Sequence, residues 1–217
     1  MGYTLASVAG SSIHATNRVI YPLAFPSQAP ATERLILNRR QSLAESPWTF
    51  ATQVTQTASQ WVLDWTWPPM TFVRAEAISA WLLSLKGQQG TFRFAPTQRY
   101  AYNITGTTLA SPGYSYQDTI SVKGWAANVA TNLRAGQYFQ IGDQLLRILE
   151  ASAFADANGA VTIVFAPELR RDFPADTAVN FTTPTGVFRL GTSDGLGYTL
   201  TPDRLPEFGT ITAREAV

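Results

Sequence analysis

The seven residues Trp61-Val-Leu-Asp-Trp-Thr-Trp67 constrain this chain more than any other stretch. In an extended backbone, Trp61, Leu63, Trp65 and Trp67 share one side, and Val62, Asp64 and Thr66 share the other. Period-two alternation with aromatic and β-branched enrichment is the signal of a strand with one buried face. A row of three tryptophans and a leucine has to be covered by another element. The cover follows directly. Pro68-Pro69 ends the strand, and Thr71 stands where a helix N-cap would, its hydroxyl placed to accept a backbone N–H. Phe72, Ala75, Ile78, Leu82 and Leu85 then recur at three- and four-residue spacing, with Trp81 at the edge of the stripe and Gly87 just beyond. That pattern predicts an amphipathic helix over about residues 72–86 with a glycine C-cap. The expected core is Trp61, Leu63 and Trp65 against Phe72, Ile78, Leu82 and Leu85.

Upstream, Trp48–Val54 alternates in the same way, with Trp48, Phe50, Thr52 and Val54 opposed to Thr49, Ala51, Gln53 and Thr55. Thr57–Gln60 is short enough to join the two runs as a hairpin. Such a hairpin has an aromatic face and a polar face. The polar face carries Thr49, Gln53, Thr55, Asp64 and Thr66, without Lys or Arg. Arg34–Asn38 reads as a further short strand, preceded by an extended stretch punctuated by Pro22, Pro26 and Pro30.

Gly90-Thr-Phe-Arg-Phe94 and Gly186-Val-Phe-Arg-Leu190 are nearly the same strand written twice. Pairing them as neighbours makes the segment between an insertion with adjacent ends. That segment holds short β runs at 103–109, 119–123, 138–141, 145–149, 161–165 and 178–181, the pattern of a small barrel or sandwich. Asn158-Gly159 is a turn signal between two of them. The expected organisation is an N-terminal arm (1–20), a discontinuous β domain (21–98 and 186–217) and an inserted β-barrel-like domain (100–185). Short strands at 197–201 and 209–213 close the first domain. The fold class is mainly β: a sandwich or split barrel with one helix, plus the inserted barrel.

Composition narrows the function. Of 217 residues, 14% are charged, 45% hydrophobic and 12% aromatic, which excludes intrinsic disorder. Sixteen basic residues against fifteen acidic ones leave a formal charge of +1, removing the long-range pull of a generic polyanion binder while leaving room for a local basic patch. Lys86 and Lys123 are the only lysines; the remaining basic residues are arginines, whose weakly hydrated planar fork suits packed interfaces. Low charge suits a subunit that buries surface against neighbours. The absence of cysteine removes disulfides and thiolate chemistry, and the single histidine, His14, lies in the polar arm. No run reaches the roughly 18 apolar residues of a membrane span, and the first residues lack a signal-peptide pattern.

No GxSxG, HExxH or phosphate-binding loop occurs. Paired carboxylates of the glycosidase kind need two acids across one cleft; Asp64 or Glu168 could serve a wall-degrading enzyme, but Asp64, the best-placed candidate, reads as a wetted or interface group. Asp156-x-Asn158-Gly159 lacks the distal ligand of a calcium loop, whose position is Pro167, and reads as a turn. Arg39-Arg40 and Arg170-Arg171 read as solvated or ion-paired. No catalytic residue, cofactor site or metal ligand is assigned. Tyr114, Tyr116, Trp125 and Tyr138 are the expected surface aromatics of the insert, and they support an alternative reading as a carbohydrate-binding module for a host surface.

The order Tyr21-Pro-Leu-Ala-Phe-Pro26, Ser46-Pro-Trp-Thr-Phe50, the Trp-rich strand into Pro68-Pro69-Met70, the helix 75–85, Gly87-Gln-Gln-Gly-Thr-Phe92 and Gly186-Val-Phe-Arg-Leu190 resembles the distal tail and minor tail proteins of long-tailed bacteriophages. The resemblance covers residues 21–98 and 186–217 well, the insert loosely, and residues 1–20 hardly at all. It implies a virion structural protein made in the host cytoplasm, with a tail-tube-like fold. Such a protein forms a ring, commonly a hexamer, between the tail tube protein and the tail-tip hub or baseplate. DNA would pass through the lumen without sequence-specific binding and with no membrane involved. The hairpin's polar face would line that lumen, and the insert would sit outside the ring.

Overall fold

A computed structural model describes residues 20–97, 103–192, 197–200, 202 and 204–216. The expected arm with His14 lies outside the described residues, apart from Ile20. The protein is mainly β, with a single helix among the described residues.

The first sheet is built on β2 (Thr32–Glu45) and β3 (Thr52–Thr66), two long antiparallel strands. It also contains β1 (Leu23–Ala24), β4 (Phe92–Phe94), β11 (Gly186–Leu190) and β14 (Ile211–Glu215), in the order β1-β4-β11-β14-β3-β2. The two look-alike strands pair as their sequences suggest. β4 and β11 are antiparallel neighbours, with Phe92 opposite Phe188 and Phe94 opposite Gly186. Helix α1 (Phe72–Ser84) covers one face of this sheet, placing Ala75, Ile78, Trp81, Leu82 and Leu85 in one buried cluster with Trp61, Leu63 and Trp65.

Three details of the hairpin and helix differ from expectation. The chain does not turn at Thr57–Gln60. Those residues lie inside the continuous strand β3, because nothing in Thr-Gln-Thr-Ala-Ser-Gln forces a reversal and β2 offers an unbroken partner. The turn falls at Ser46–Ala51 instead, where Pro47 stands, Phe50 adopts a positive φ of 55°, and Phe50 N–H donates to the Ser46 carbonyl. Second, Phe72 is 46% exposed and leaves the core. At 100° per residue it lies about 115° from the centre of the buried stripe, a drift that three- and four-residue spacing hides. Third, the Thr71 hydroxyl makes no cap hydrogen bond; its backbone carbonyl accepts from Arg74 and Ala75 instead. At the other end, positive φ falls on Lys86 as well as Gly87.

Phe25 completes this core. Its ring lies 5.0–5.9 Å, centroid to centroid, from those of Trp65, Trp67, Trp81, Phe92 and Phe94. Tyr21 O–H donates to the Ser84 carbonyl, and the Trp81 indole N–H donates to the Ala24 carbonyl, so the Pro-punctuated segment is fastened across the helix.

The second sheet comprises β5 (Thr108–Leu109), β6 (Thr119–Lys123), β7 (Tyr138–Ile141), β8 (Gln144–Ala151), β9 (Ala160–Ala166) and β10 (Val179–Asn180). Its order is β10-β7-β8-β9-β6-β5, and a bridge between Thr108 and Ala178 brings its ends together into a nearly closed barrel. Its core includes Leu109, Val122, Phe139, Ile141, Ile148, Ile163, Phe165 and Phe181. Asp156–Gly159 is a turn as expected, although the loop joining β8 to β9 is longer than a two-residue hairpin. The Asp156 carboxylate accepts from the N–H groups of Asn158 and Ala160, which fixes the turn. Near the C-terminus β12 (Tyr198–Leu200) and β13 (Pro206–Phe208) form a separate pair, and the last strand of the main sheet lies slightly beyond the expected 209–213.

Candidate assembly surface

The long hairpin outruns its sheet. β14 accompanies β3 only at Val62–Asp64 and Trp65, so β3 residues 52–60 have β2 as their sole strand neighbour. At about 3.3 Å per residue those nine residues make a two-stranded ribbon about 30 Å long. An isolated two-stranded ribbon is marginal in water and leaves both edges with unpaired N–H and C=O groups. This one also displays apolar side chains. Leu43 and Val54 are register partners, 65% and 56% exposed, and Trp48 and Phe50 at the tip are 90% and 75% exposed.

A bulge sets the ribbon's faces. Arg40 opposes Ala58 while Gln41 opposes Gln56, which leaves Thr57 as an extra residue in β3. The Thr57 hydroxyl donates to the Arg40 carbonyl. Each β3 side chain beyond the bulge therefore switches sides. Unbroken β2 makes the outcome readable: Ser42, Ala44, Arg34 and Thr32 share one face, and they oppose Thr55, Gln53, Asp64 and Thr66. Four of the five residues assigned to the polar face are thus brought together. Thr49 is not among them, since it lies in the tip turn, where its hydroxyl accepts the Ala51 N–H.

That face is not free of cations, which corrects the second part of the expectation. The neighbouring strands bring Arg34 and Arg40 on β2, Arg214 on β14 and Arg189 on β11 onto it. Asp64 is half-buried beside them and accepts the Thr212 hydroxyl at 2.8 Å.

The base of the ribbon is bolted to the barrel. Gln56 Nε2 and the Ser59 hydroxyl both donate to the Glu168 carboxylate, at 2.9 and 3.3 Å. The Trp61 indole N–H donates to the Leu145 carbonyl, and Leu145 belongs to the main-sheet core. Arg170 meets Glu215 at 2.6 Å, and the same Glu215 oxygen accepts the Trp61 N–H. Burial raises the Glu215 carboxyl above its ordinary range, opposed by the Arg170 charge and by the N–H of Trp61. Asp64 and Glu168 therefore act from opposite faces of the sheet and do not frame one cleft. Neither the Glu168–Ser59 bond nor the Glu215–Arg170 pair was legible in the sequence, because each joins a main-sheet strand to the segment that follows β9.

The surface aromatics of the barrel divide. Tyr114 and Tyr116 are 56% and 86% exposed. Trp125 and Tyr138 are not free surface. Trp125 packs edge-on against Phe181 within the barrel core. Tyr138 lies edge-on to Trp61 between the two units, and its burial raises the phenol above its usual value. The expected four-residue sugar platform is therefore reduced to two tyrosines.

Compared with family models and with curated proteins, the chain matches none.

Proposed function

We propose that this protein is a structural subunit of a phage tail: a ring-forming distal tail protein between the tail tube and the tail-tip hub. The observation that carries this reading is the β2–β3 ribbon. It projects beyond the third strand with two open edges and four exposed apolar residues, Leu43, Trp48, Phe50 and Val54. A ribbon of this kind favours strand pairing or apolar contact with another copy of the chain, since both leave fewer unpaired backbone groups and less apolar surface in water. A closed ring uses one such contact per subunit and leaves no free ribbon. The barrel is fastened to the ribbon base through Glu168, Arg170 and Leu145, which gives the projecting arm a rigid root. In this reading the hexamer, the neighbouring tube and hub proteins, and the passage of DNA through the lumen come from the family resemblance.

Native mass spectrometry and electron microscopy of the full chain test the proposal. The wild type assembles into rings, while Trp48→Ser/Phe50→Ser stays monomeric with unchanged circular dichroism and melting temperature. A wild-type chain that is strictly monomeric both alone and in purified tails refutes it.

A further inference from the structure

We infer that the outward face of the six-stranded sheet binds the phosphates of a nucleic-acid backbone, without reading sequence. Arg189 and Arg214 are register partners on adjacent strands, both exposed. Like charges set directly opposite one another repel, so an anion held between the two guanidinium groups would stabilise this pair. Among the described residues no carboxylate forms an ion pair with either of them. The ion pairs among the described residues engage Arg93, Lys123 and Arg170, and none engages Arg34, Arg40, Arg189 or Arg214. Asp64 is the one carboxylate that the described strands of this sheet place on the face, and its Oδ1 accepts the Thr212 hydroxyl. Beside it, where β14 ends, a cleft of about 760 Å³ is lined by residues that include Arg39, Arg40, Gln60, Arg170 and Arg214.

The spacing selects an extended ligand. Arg214 lies in register with Val62, and Arg40 in register with Ala58, two strands away from β14. Four residues along the strand and two strand spacings across separate them by about 16 Å. A single small anion cannot bridge that distance, whereas a duplex presents charges continuously along its axis. Arginine forks pair two-point with phosphate oxygens. The four arginines stand on the face of the sheet itself, and guanidinium contacts to phosphate fix position without reading sequence. A net charge of +1 for the whole chain coexists with this patch, since Glu33, Glu45 and Glu215 alternate onto the opposite face of the sheet. The inference stands on this face and not on ring assembly.

The test is fluorescence anisotropy of a labelled duplex against salt, using the full-length protein. Four phosphate contacts predict a log–log slope near −3.6 in the salt dependence, at about −0.9 per contact. Arg189→Gln/Arg214→Gln lowers the slope by about 2 and weakens binding more than tenfold at low salt. Arg189→Lys/Arg214→Lys keeps the slope, and Arg74→Gln on the helix side of the sheet changes nothing. Trp48→Ser/Phe50→Ser also keeps the slope, which separates this result from failure of the assembly reading. Tripolyphosphate serves as the small-phosphate competitor and binds more weakly than the duplex. Absence of duplex binding at low salt, an unchanged slope in the double Gln variant, or preference for tripolyphosphate overturns the inference.

Discussion

Replacing Arg170 with Met tests how the two units are held together. The Glu215 side chain is 2% exposed, and its ion-pair partner Arg170 is 21% exposed. Glu215 also accepts the Trp61 N–H, so its carboxylate is hydrogen-bonded as well as paired. Methionine preserves most of the apolar stem but removes the charge, leaving Glu215 buried without its cation. Stranding one member of a buried pair costs about 3–5 kcal/mol, and partial exposure on the arginine side places this case near 3. The cost depends on pH in a defined direction. Burial already raises the Glu215 carboxyl in the native protein, and loss of Arg170 removes its main opposing influence. A raised carboxyl contributes most favourably when protonated, below its ordinary value, and that contribution is lost as pH rises through the folded-state value. The variant's deficit is therefore about 3 kcal/mol at pH 7 and falls to about 1 near pH 4, the residue being lost packing and one hydrogen bond. Urea unfolding at both pH values measures it, and the neutral deficit corresponds to a fall in Tm of about 6–12 °C. Glu215→Gln should abolish the variant's pH dependence, and the double substitution should cost less than the sum of the single ones. An Arg170→Met deficit that is below 1 kcal/mol at pH 7, or equal at both pH values, refutes the reasoning.

Two further substitutions probe the cores. Phe25→Ala removes the ring that touches five others and is expected to cost about 3–5 kcal/mol, read as a lower urea midpoint with the barrel's near-ultraviolet signal retained to higher urea. Gly159→Ala places a Cβ against the Trp125 carbonyl at a residue with φ of +73°, and the expected loss exceeds about 2 kcal/mol by calorimetry; an unchanged Tm contradicts the turn geometry.

What the sequence revealed and what it concealed divide along a physical line. The Trp61–Trp67 alternation and the Ala75–Leu85 stripe are local periodicities, so the buried strand face and its covering helix could be read directly. The similarity of Gly90–Phe94 to Gly186–Leu190 marked a pairing because the same residue pattern serves the same environment on both strands. The hairpin failed as a sequence reading because the polar run 55–60 can be turn or strand, and only β2 alongside it decides. Phe25 escaped notice for a related reason. It sits among prolines, and its importance comes from rings contributed by two strands and the helix.

The arginines show the same division most sharply, and they bear on function. Along the chain, Arg189 and Arg214 are unremarkable single charges on β11 and β14, with the two short strands β12 and β13 between them. The sheet order β11-β14-β3-β2 sets them opposite one another and places Arg34 and Arg40 on the same surface. The single extra residue Thr57 then decides which polar side chains accompany them. Without the bulge, Gln53 and Thr55 would point toward the tryptophans' side, and Val54 would lie among the arginines. With it, the ribbon keeps its apolar Leu43–Val54 pair on one face and its polar groups beside the cations on the other. A ribbon divided in this way can offer apolar contact to another subunit on one side while its opposite side remains hydrated and basic. Deleting Thr57 would reverse that division beyond the bulge while leaving Arg34, Arg40, Arg189 and Arg214 in place, so the deletion should disturb subunit assembly and leave the salt dependence of duplex binding unchanged.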